Sequence, residues 1–360
     1  MAGLLELREL TVELPTSAGW VRPVNGVTLT LDEGETLGIV GESGSGKTML
    51  SLALMGLTPP GARRSGEAWL AGRSNNDKDA NHDTGNGAGG GARDGGRTRN
   101  GNGVAADTAA SRRNLLTASA AEMRSVRGGE IGMIFQEPMT ALNPVMRIGA
   151  QIEEAIRVHR PGAARAAIAK RALDSMLRAA IPNASTRAYQ YPHQLSGGLR
   201  QRAMIAMALA PGPRLLIADE PTTALDVTVQ KQILDVLVEL RRDLRLGMLF
   251  ITHDLGVVAQ VADRAAVMYA GRVVEEGFTG DVLRRPQHPY TQGLLRAAPR
   301  LERGQLTPIP GTVPPLDRLP AGCAFGPRCE YHRAECDAAV PELRAASATH
   351  RARCILVPRT

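Results

Sequence analysis

Gly41-Glu42-Ser43-Gly44-Ser45-Gly46-Lys47-Thr48 follows an apolar run, Leu37 to Val40, and leads into a helix-forming one, Met49 to Leu57. Strand, glycine-rich turn and helix in that order make a phosphate cradle. The glycines let backbone N–H groups turn toward phosphate oxygens, Lys47 adds a point charge, and the Thr48 hydroxyl stands where Mg²⁺ is held at a helix N-terminus. Gly41, Ser43, Gly44, Ser45, Gly46, Lys47 and Thr48 are therefore the expected nucleotide-binding residues. The motif alone leaves the phosphate chemistry open, because unrelated enzymes share it.

A second cluster narrows the choice. Leu195-Ser196-Gly197-Gly198-Leu199-Arg200-Gln201-Arg202 precedes an apolar helix-like run, and Leu215-Leu216-Ile217-Ala218-Asp219-Glu220 reads as a buried strand ending in two carboxylates. Asp219 at the strand tip is placed to reach the Mg²⁺ shell. Glu220, one residue on, points elsewhere and is placed to polarise an attacking water. Ala224-Leu225-Asp226 follows. Leu249 to Thr252 forms another strand that ends at His253, and Gln136 comes directly after Ile131 to Phe135.

In this order the motifs make the chain resemble an ABC-transporter ATPase over about residues 4–295. The resemblance implies an α/β P-loop NTPase cassette with an antiparallel β-subdomain, a helical subdomain and a small cysteine-containing C-terminal extension. It implies ATP and Mg²⁺ as cofactors, with Thr48, Gln136 and Asp219 around the metal. Glu220 becomes the catalytic base, Gln136 the Q-loop, His253 the switch, Asp226 the D-loop, and Ser196, Gly197 and Gly198 the signature that contacts phosphate. Leu199 departs from the usual Gln or Met, a change expected to cost little because Ser196 and the glycines make the contact. Trp20 lies where the family places an aromatic that stacks on the base.

Composition agrees and excludes more than it specifies. The chain has 360 residues, 43% of them apolar, enough for one large domain and an appendage. No run approaches the ~18 apolar residues of a membrane span, and Met1 to Glu6 lack the basic-then-apolar pattern of a signal. The net charge of +7 comes with only four lysines and 3% aromatic residues. Arginines scattered among carboxylates, with few rings to stack bases, argue against a nucleic-acid partner.

Alternation at Leu10, Val12 and Leu14, and again at Val27, Leu29 and Leu31, predicts the antiparallel subdomain. Residues 74–111, rich in Gly, Asn, Asp and Arg without periodicity, are expected to be a disordered insertion. Its excision joins Leu70-Ala71-Gly72-Arg73 to Asn114-Leu115-Leu116 as a hairpin. Leu173, Met176, Leu177 and Ala180 recur at helical spacing before Pro182, within an expected helical subdomain at 137–200.

Glu137-Pro138-Met139-Thr140-Ala141-Leu142-Asn143-Pro144 and Pro286-Gln287-His288-Pro289-Tyr290-Thr291-Gln292-Gly293-Leu294-Leu295 are similar to tracts of the oligopeptide and dipeptide importers. Read without that likeness, the second tract is a Pro-rich linker with His288 on its surface. With it, a cassette at 1–284 is followed by a peptide-importer C-terminal domain at 285–360. The implied partners are a homologous second ATPase in a heterodimer, two permeases and an extracytoplasmic peptide-binding protein, at the cytoplasmic face of the cell membrane. A nickel or other non-peptide importer of the same branch, and a soluble ABC ATPase acting on ribosomes or DNA, are the alternatives.

Cys323, Cys329, Cys336 and Cys354 all fall in the C-terminal tail, separated by five, six and seventeen residues. Such clustering predicts that they belong to one structure. Buried free thiols and zinc are both open readings of the spacing, although it lacks the Cys-x-x-Cys pair usual in zinc ribbons. The resemblance implies instead that all four ligate one [4Fe-4S] cluster.

Overall fold

The computed structural model describes residues 3–17, 19–72, 112–297 and 308–357. Two sheets organise them. Strands β1 (Leu5–Thr16), β2 (Gly19–Leu31), β4 (Arg63–Leu70) and β5 (Arg113–Asn114) form an antiparallel sheet in the order β2-β1-β4-β5. As the alternation predicts, Leu10 faces Val27 across β1 and β2, and both are fully buried. β4 and β5 pair at Leu70 and Arg113, closing the expected hairpin on either side of the insertion. The insertion itself lies outside the described residues.

The larger sheet has eight strands in the order β11-β12-β10-β9-β3-β8-β7-β6. β3 (Thr36–Val40), β6 (Ile131–Ile134), β7 (Leu215–Asp219), β8 (Gly247–Thr252) and β9 (Arg264–Tyr269) run parallel. β3, β6, β7 and β8 are buried at every position, as expected for a parallel sheet covered on both faces. β10 (Arg272–Phe278) returns antiparallel to β9. The tail strands β11 (Arg344–Ser347) and β12 (His350–Ala352) then extend the sheet past β10. The C-terminal region thus continues the cassette's own sheet.

Helices split the interior into two main cores. Helix Lys47–Leu54 packs with β1, β2 and β3, whereas helices Ile148–His159, Arg165–Arg178, Gly197–Leu209 and Val227–Leu244 share a second core on the far side of the sheet. Within Arg165–Arg178 the buried stripe is Ile168, Ala172 and Met176. Leu177, counted in the sequence stripe, is exposed, and Ala180 falls past the helix end with φ at 54°.

The Pro-rich linker reading of 286–295 does not hold. Pro289–Ala297 is a helix and His288 is only 1% exposed. Local composition hides this because the partners are remote. The Glu275 carboxylate on β10 accepts the N–H groups of Gln287 at 2.6 Å and His288 at 2.9 Å, pinning the segment onto the sheet.

Candidate nucleotide site

The carboxyl ends of β3, β7 and β8 meet in one place, where ligands bind in open α/β sheets. β3 delivers the loop 41–48. Gly41 is obligatory there, since a Cβ would stand 2.2 Å from the Met268 carbonyl oxygen. Gly46 is equally fixed, with φ at 103° and a Cβ position 1.9 Å from the Pro23 carbonyl oxygen. A Cβ on Gly44 would meet nothing within 4 Å, so that glycine serves its positive φ, not packing. Lys47 folds back along the loop, its Nζ donating to the carbonyls of Gly41 at 2.7 Å and Glu42 at 3.0 Å. Burial holds its ammonium below the ordinary lysine range, against the pull of the Glu220, Asp219 and Glu42 carboxylates.

β7 ends at Asp219, which is buried. Its carboxylate accepts from the hydroxyls of Thr48 at 3.4 Å and Ser51 at 3.3 Å. Burial pushes this carboxyl up, and the two hydroxyl donors oppose the shift. The pairing of Thr48 with Asp219 fits the Mg²⁺ expectation. Mg²⁺ takes one or two protein ligands beside phosphates and water, so no carboxylate cluster is required. Ser51 escaped the sequence reading, though its position one turn beyond Thr48 on the same helix was available as a signal.

Glu220 leaves the strand with φ at 47°, which turns its side chain away from that of Asp219. Its Oε2 accepts from Thr223 Oγ1 at 2.8 Å and Gln136 Nε2 at 3.2 Å, and lies 3.4 Å from His253 Nδ1. Three residues from three separate segments therefore converge on one carboxylate oxygen. Thr223, not anticipated from sequence, fixes its orientation.

The signature sits at the surface of the other core, which Leu195 enters. Ser196 caps helix Gly197–Leu209, its hydroxyl accepting from the Leu199 N–H, and Leu199 packs against buried apolar side chains. Gly198 is required for packing, because a Cβ would lie 2.6 Å from Val229. Asp226 caps helix Val227–Leu244 through the Val229 N–H at 3.0 Å. Among the described residues no hydrogen bond or ion pair joins the signature to the loop 41–48. Trp20, on β2, is 44% exposed, with the Arg63 guanidinium 3.8 Å from its ring centroid.

The iron–sulfur assignment is corrected. Cys323, Cys329, Cys336 and Cys354 do line one cavity, with Phe325 and His288, and all four are free. Yet among the described residues no three His, Cys, Asp or Glu side chains come together in an arrangement able to hold a metal ion. Burial also pushes the thiols of Cys323, Cys329 and Cys354 up. Packing around one cavity, with Cys336 and Cys354 buried and Cys323 and Cys329 half-buried, accounts for the clustering without ligation.

Comparisons with known proteins agree with this geometry. The sequence profile of the ABC transporter family matches residues 24–88 and 102–223, and that of the oligopeptide/dipeptide transporter C-terminal region matches 274–336. The chain is 47% identical to a putative peptide import ATP-binding protein of Brucella melitensis, over 98% of this chain and 96% of that one. It is 45% identical to the oligopeptide transport ATP-binding protein OppD of Bacillus subtilis, over 91% and 82%. Among solved structures it is similar to the ATP-binding cassette MJ0796, a dimer in a post-hydrolysis state bound to ADP and Pi. That likeness has a TM-score of 0.58 and 25% identity, covering 76% of this chain and 98% of that one.

Proposed function

We infer function from one premise: this chain belongs to the ABC transporter family, and it is the ATP-hydrolysing subunit that powers import of peptides through a membrane transporter. The observation that carries the chemistry is the Glu220 carboxylate, held by Thr223 and Gln136 beside His253. Lys47 and the N–H groups of the loop take the β- and γ-phosphates. Thr48 and Asp219, with Gln136, would hold Mg²⁺, which when bound neutralises charge on the phosphate oxygens. Glu220 orients a water and accepts its proton, and His253 steadies that carboxylate. Trp20 offers a face for the adenine.

We further propose that Ser196, Gly197 and Gly198 serve the site of a second cassette facing head to tail, with Asp226 at the seam. The exposure of Ser196 and Gly197 at the start of their helix supports this reading. The remaining partners are two permeases and an extracytoplasmic peptide-binding protein. Among the described residues no helix is long and apolar enough to cross a membrane. We place the subunit at the cytoplasmic face of the cell membrane, beside the permeases.

The test is uptake of labelled peptide in cells lacking this chain. Restoration by the wild type but not by Glu220→Gln, with equal amounts recovered in the membrane fraction, is the expected result. Uptake that never depended on the chain would overturn the assignment.

A further inference from the structure

Glu42, the second residue of the phosphate loop, is gripped from the C-terminal region. Arg328 Nη1 lies 2.7 Å from Glu42 Oε2 and Nη2 lies 3.1 Å from Oε1, a bidentate pair. The Arg328 side chain is only 4% exposed and that of Glu42 31%. Tyr290 Oη accepts the Glu42 backbone N–H at 2.8 Å. The Glu42 carbonyl in turn accepts from Lys47. Carboxylate, N–H and carbonyl of one loop residue are thus all fixed, two of them by residues nearly 250 or more positions away in the chain.

The far end of the grip is packed among aromatic rings. Arg328 Nε donates to the Pro310 carbonyl at 3.0 Å, and its guanidinium stands 5.9 Å from the ring centroids of Tyr269 and Phe325. Tyr290 meets Tyr269 edge to face at 4.6 Å, and Phe325 lies 5.4 Å from both. Tyr269 belongs to β9, the neighbour of β3, which feeds the loop.

We propose that Arg328 and Tyr290 are positioning residues for ATP, through which the C-terminal region sets the conformation and charge of the phosphate loop. This rests on the reading of residues 41–48 as the ATP cradle. Two effects act together. A loop already fixed pays less ordering entropy when nucleotide binds. And Arg328 neutralises a carboxylate built into a loop that must receive a polyanion. Without the guanidinium, Glu42 opposes the incoming phosphates through a partly buried, low-dielectric path.

The test is titration of MgATP into the purified full chain, with thermal unfolding recorded for each variant. Arg328→Gln is expected to weaken binding about tenfold, within the usual range of coupling between sites. Adding Glu42→Gln to Arg328→Gln should recover most of that loss, because the unpaired charge is gone. Arg328→Lys should fall between, since an ammonium keeps the charge but not the fork. Tyr290→Phe should weaken binding with the ring packing kept. In the assembled transporter the same variants should raise KM for ATP more than they lower kcat.

A merely structural role predicts lower melting temperature without charge-specific rescue, and that pattern sinks the proposal. So does a folded Arg328→Gln that binds within about twofold of wild type. Should Arg328→Gln not fold, Arg328→Lys and Tyr290→Phe decide the matter, and unchanged affinity in both overturns it. Lys47→Ala separates the two levels. If it binds ATP as the wild type does, the cradle reading has failed; if it loses binding while the Arg328 variants do not, only the coupling has.

Discussion

The nucleotide face and the C-terminal edge belong to the same eight-stranded sheet, yet they bury charge in opposite ways. At the face, Asp219 keeps company with hydroxyls at 3.3 and 3.4 Å, and Lys47 rests on carbonyls of its own loop. These are long or readily exchanged bonds to neutral groups. At the edge, the Glu275 carboxylate is completely buried and takes two backbone N–H groups at 2.6 and 2.9 Å and His350 Nε2 at 2.7 Å. At Glu275 the edge satisfies buried polar groups internally. The face leaves them for a ligand to satisfy, and the energetic difference marks which end of the sheet does chemistry.

The largest effect that would break this contrast is at Glu220. Glu220→Gln keeps a hydrogen-bonding side chain beside Thr223 and Gln136 but removes the base. Steady-state ATP hydrolysis in the assembled transporter should fall ~10²–10⁴-fold, the usual loss for general-base removal, with ATP binding retained. Near-normal turnover would mean that the convergence on Oε2 is structural.

Next is Gly46→Ala. Its Cβ has no room against the Pro23 carbonyl and the backbone sits at positive φ, so the loop or β2 must move. A cost of at least ~2 kcal/mol is expected, lowering the melting temperature by roughly 5 °C in a domain of this size. Calorimetry checks it. Gly44→Ala, strained in φ but unopposed by neighbours, should cost less.

The edge makes its own prediction. His288 is held neutral by burial, down to about 4 from 6.5, with Glu275 opposing that shift. Its Nδ1 accepts the Tyr290 N–H at 3.1 Å, and the Arg353 carbonyl is its other backbone partner. His350, paired with Glu275, the Arg353 guanidinium and the cysteine thiols of the shared cavity are further ionisable neighbours. Between pH 6.5 and 4 the unfolded chain binds a proton at this histidine that the folded chain refuses. Stability is therefore full above about pH 6.5 and declines toward pH 4, by at most ~3 kcal/mol. Melting curves across that window should flatten for His288→Gln relative to wild type. Parallel curves would remove the edge from the account of acid sensitivity.

What was legible in the sequence follows the same division. The loop 41–48, Asp219, Glu220 and His253 each sit at the end of an apolar strand, so chain order alone placed them at the sheet's carboxyl ends. Gln136 and Glu220 could be related because each directly follows, or nearly follows, a buried run. The edge gave no such signal. His288 lies among prolines, and its partner Glu275 is 13 residues back, beyond the helix Thr279–Arg284. Arg328 and Glu42 share no periodicity whatever. The cysteines clustered in sequence and in space, but proximity of thiols in a cavity is a weaker condition than ligand geometry, and composition registers only the first.

The smallest effect should come from the far edge of the other sheet, at β4 and β5. β4 and β5 pair at Leu70 and Arg113, so the ends of the long connection between them are already held by the sheet. Deleting residues 75–110 leaves a short link that still spans the hairpin. Loop closure costs only ~0.6 kcal/mol per doubling of length, so shortening the connection stabilises the fold by at most ~2 kcal/mol. ATP hydrolysis should stay within about twofold of wild type, because among the described residues no hydrogen bond joins the nucleotide site to the paired ends of β4 and β5. A fall in melting temperature would show that the deleted segment packs against the cassette. A fall in activity at unchanged melting temperature would instead join this hairpin to the face, and the division between chemical and structural ends would then need a third member.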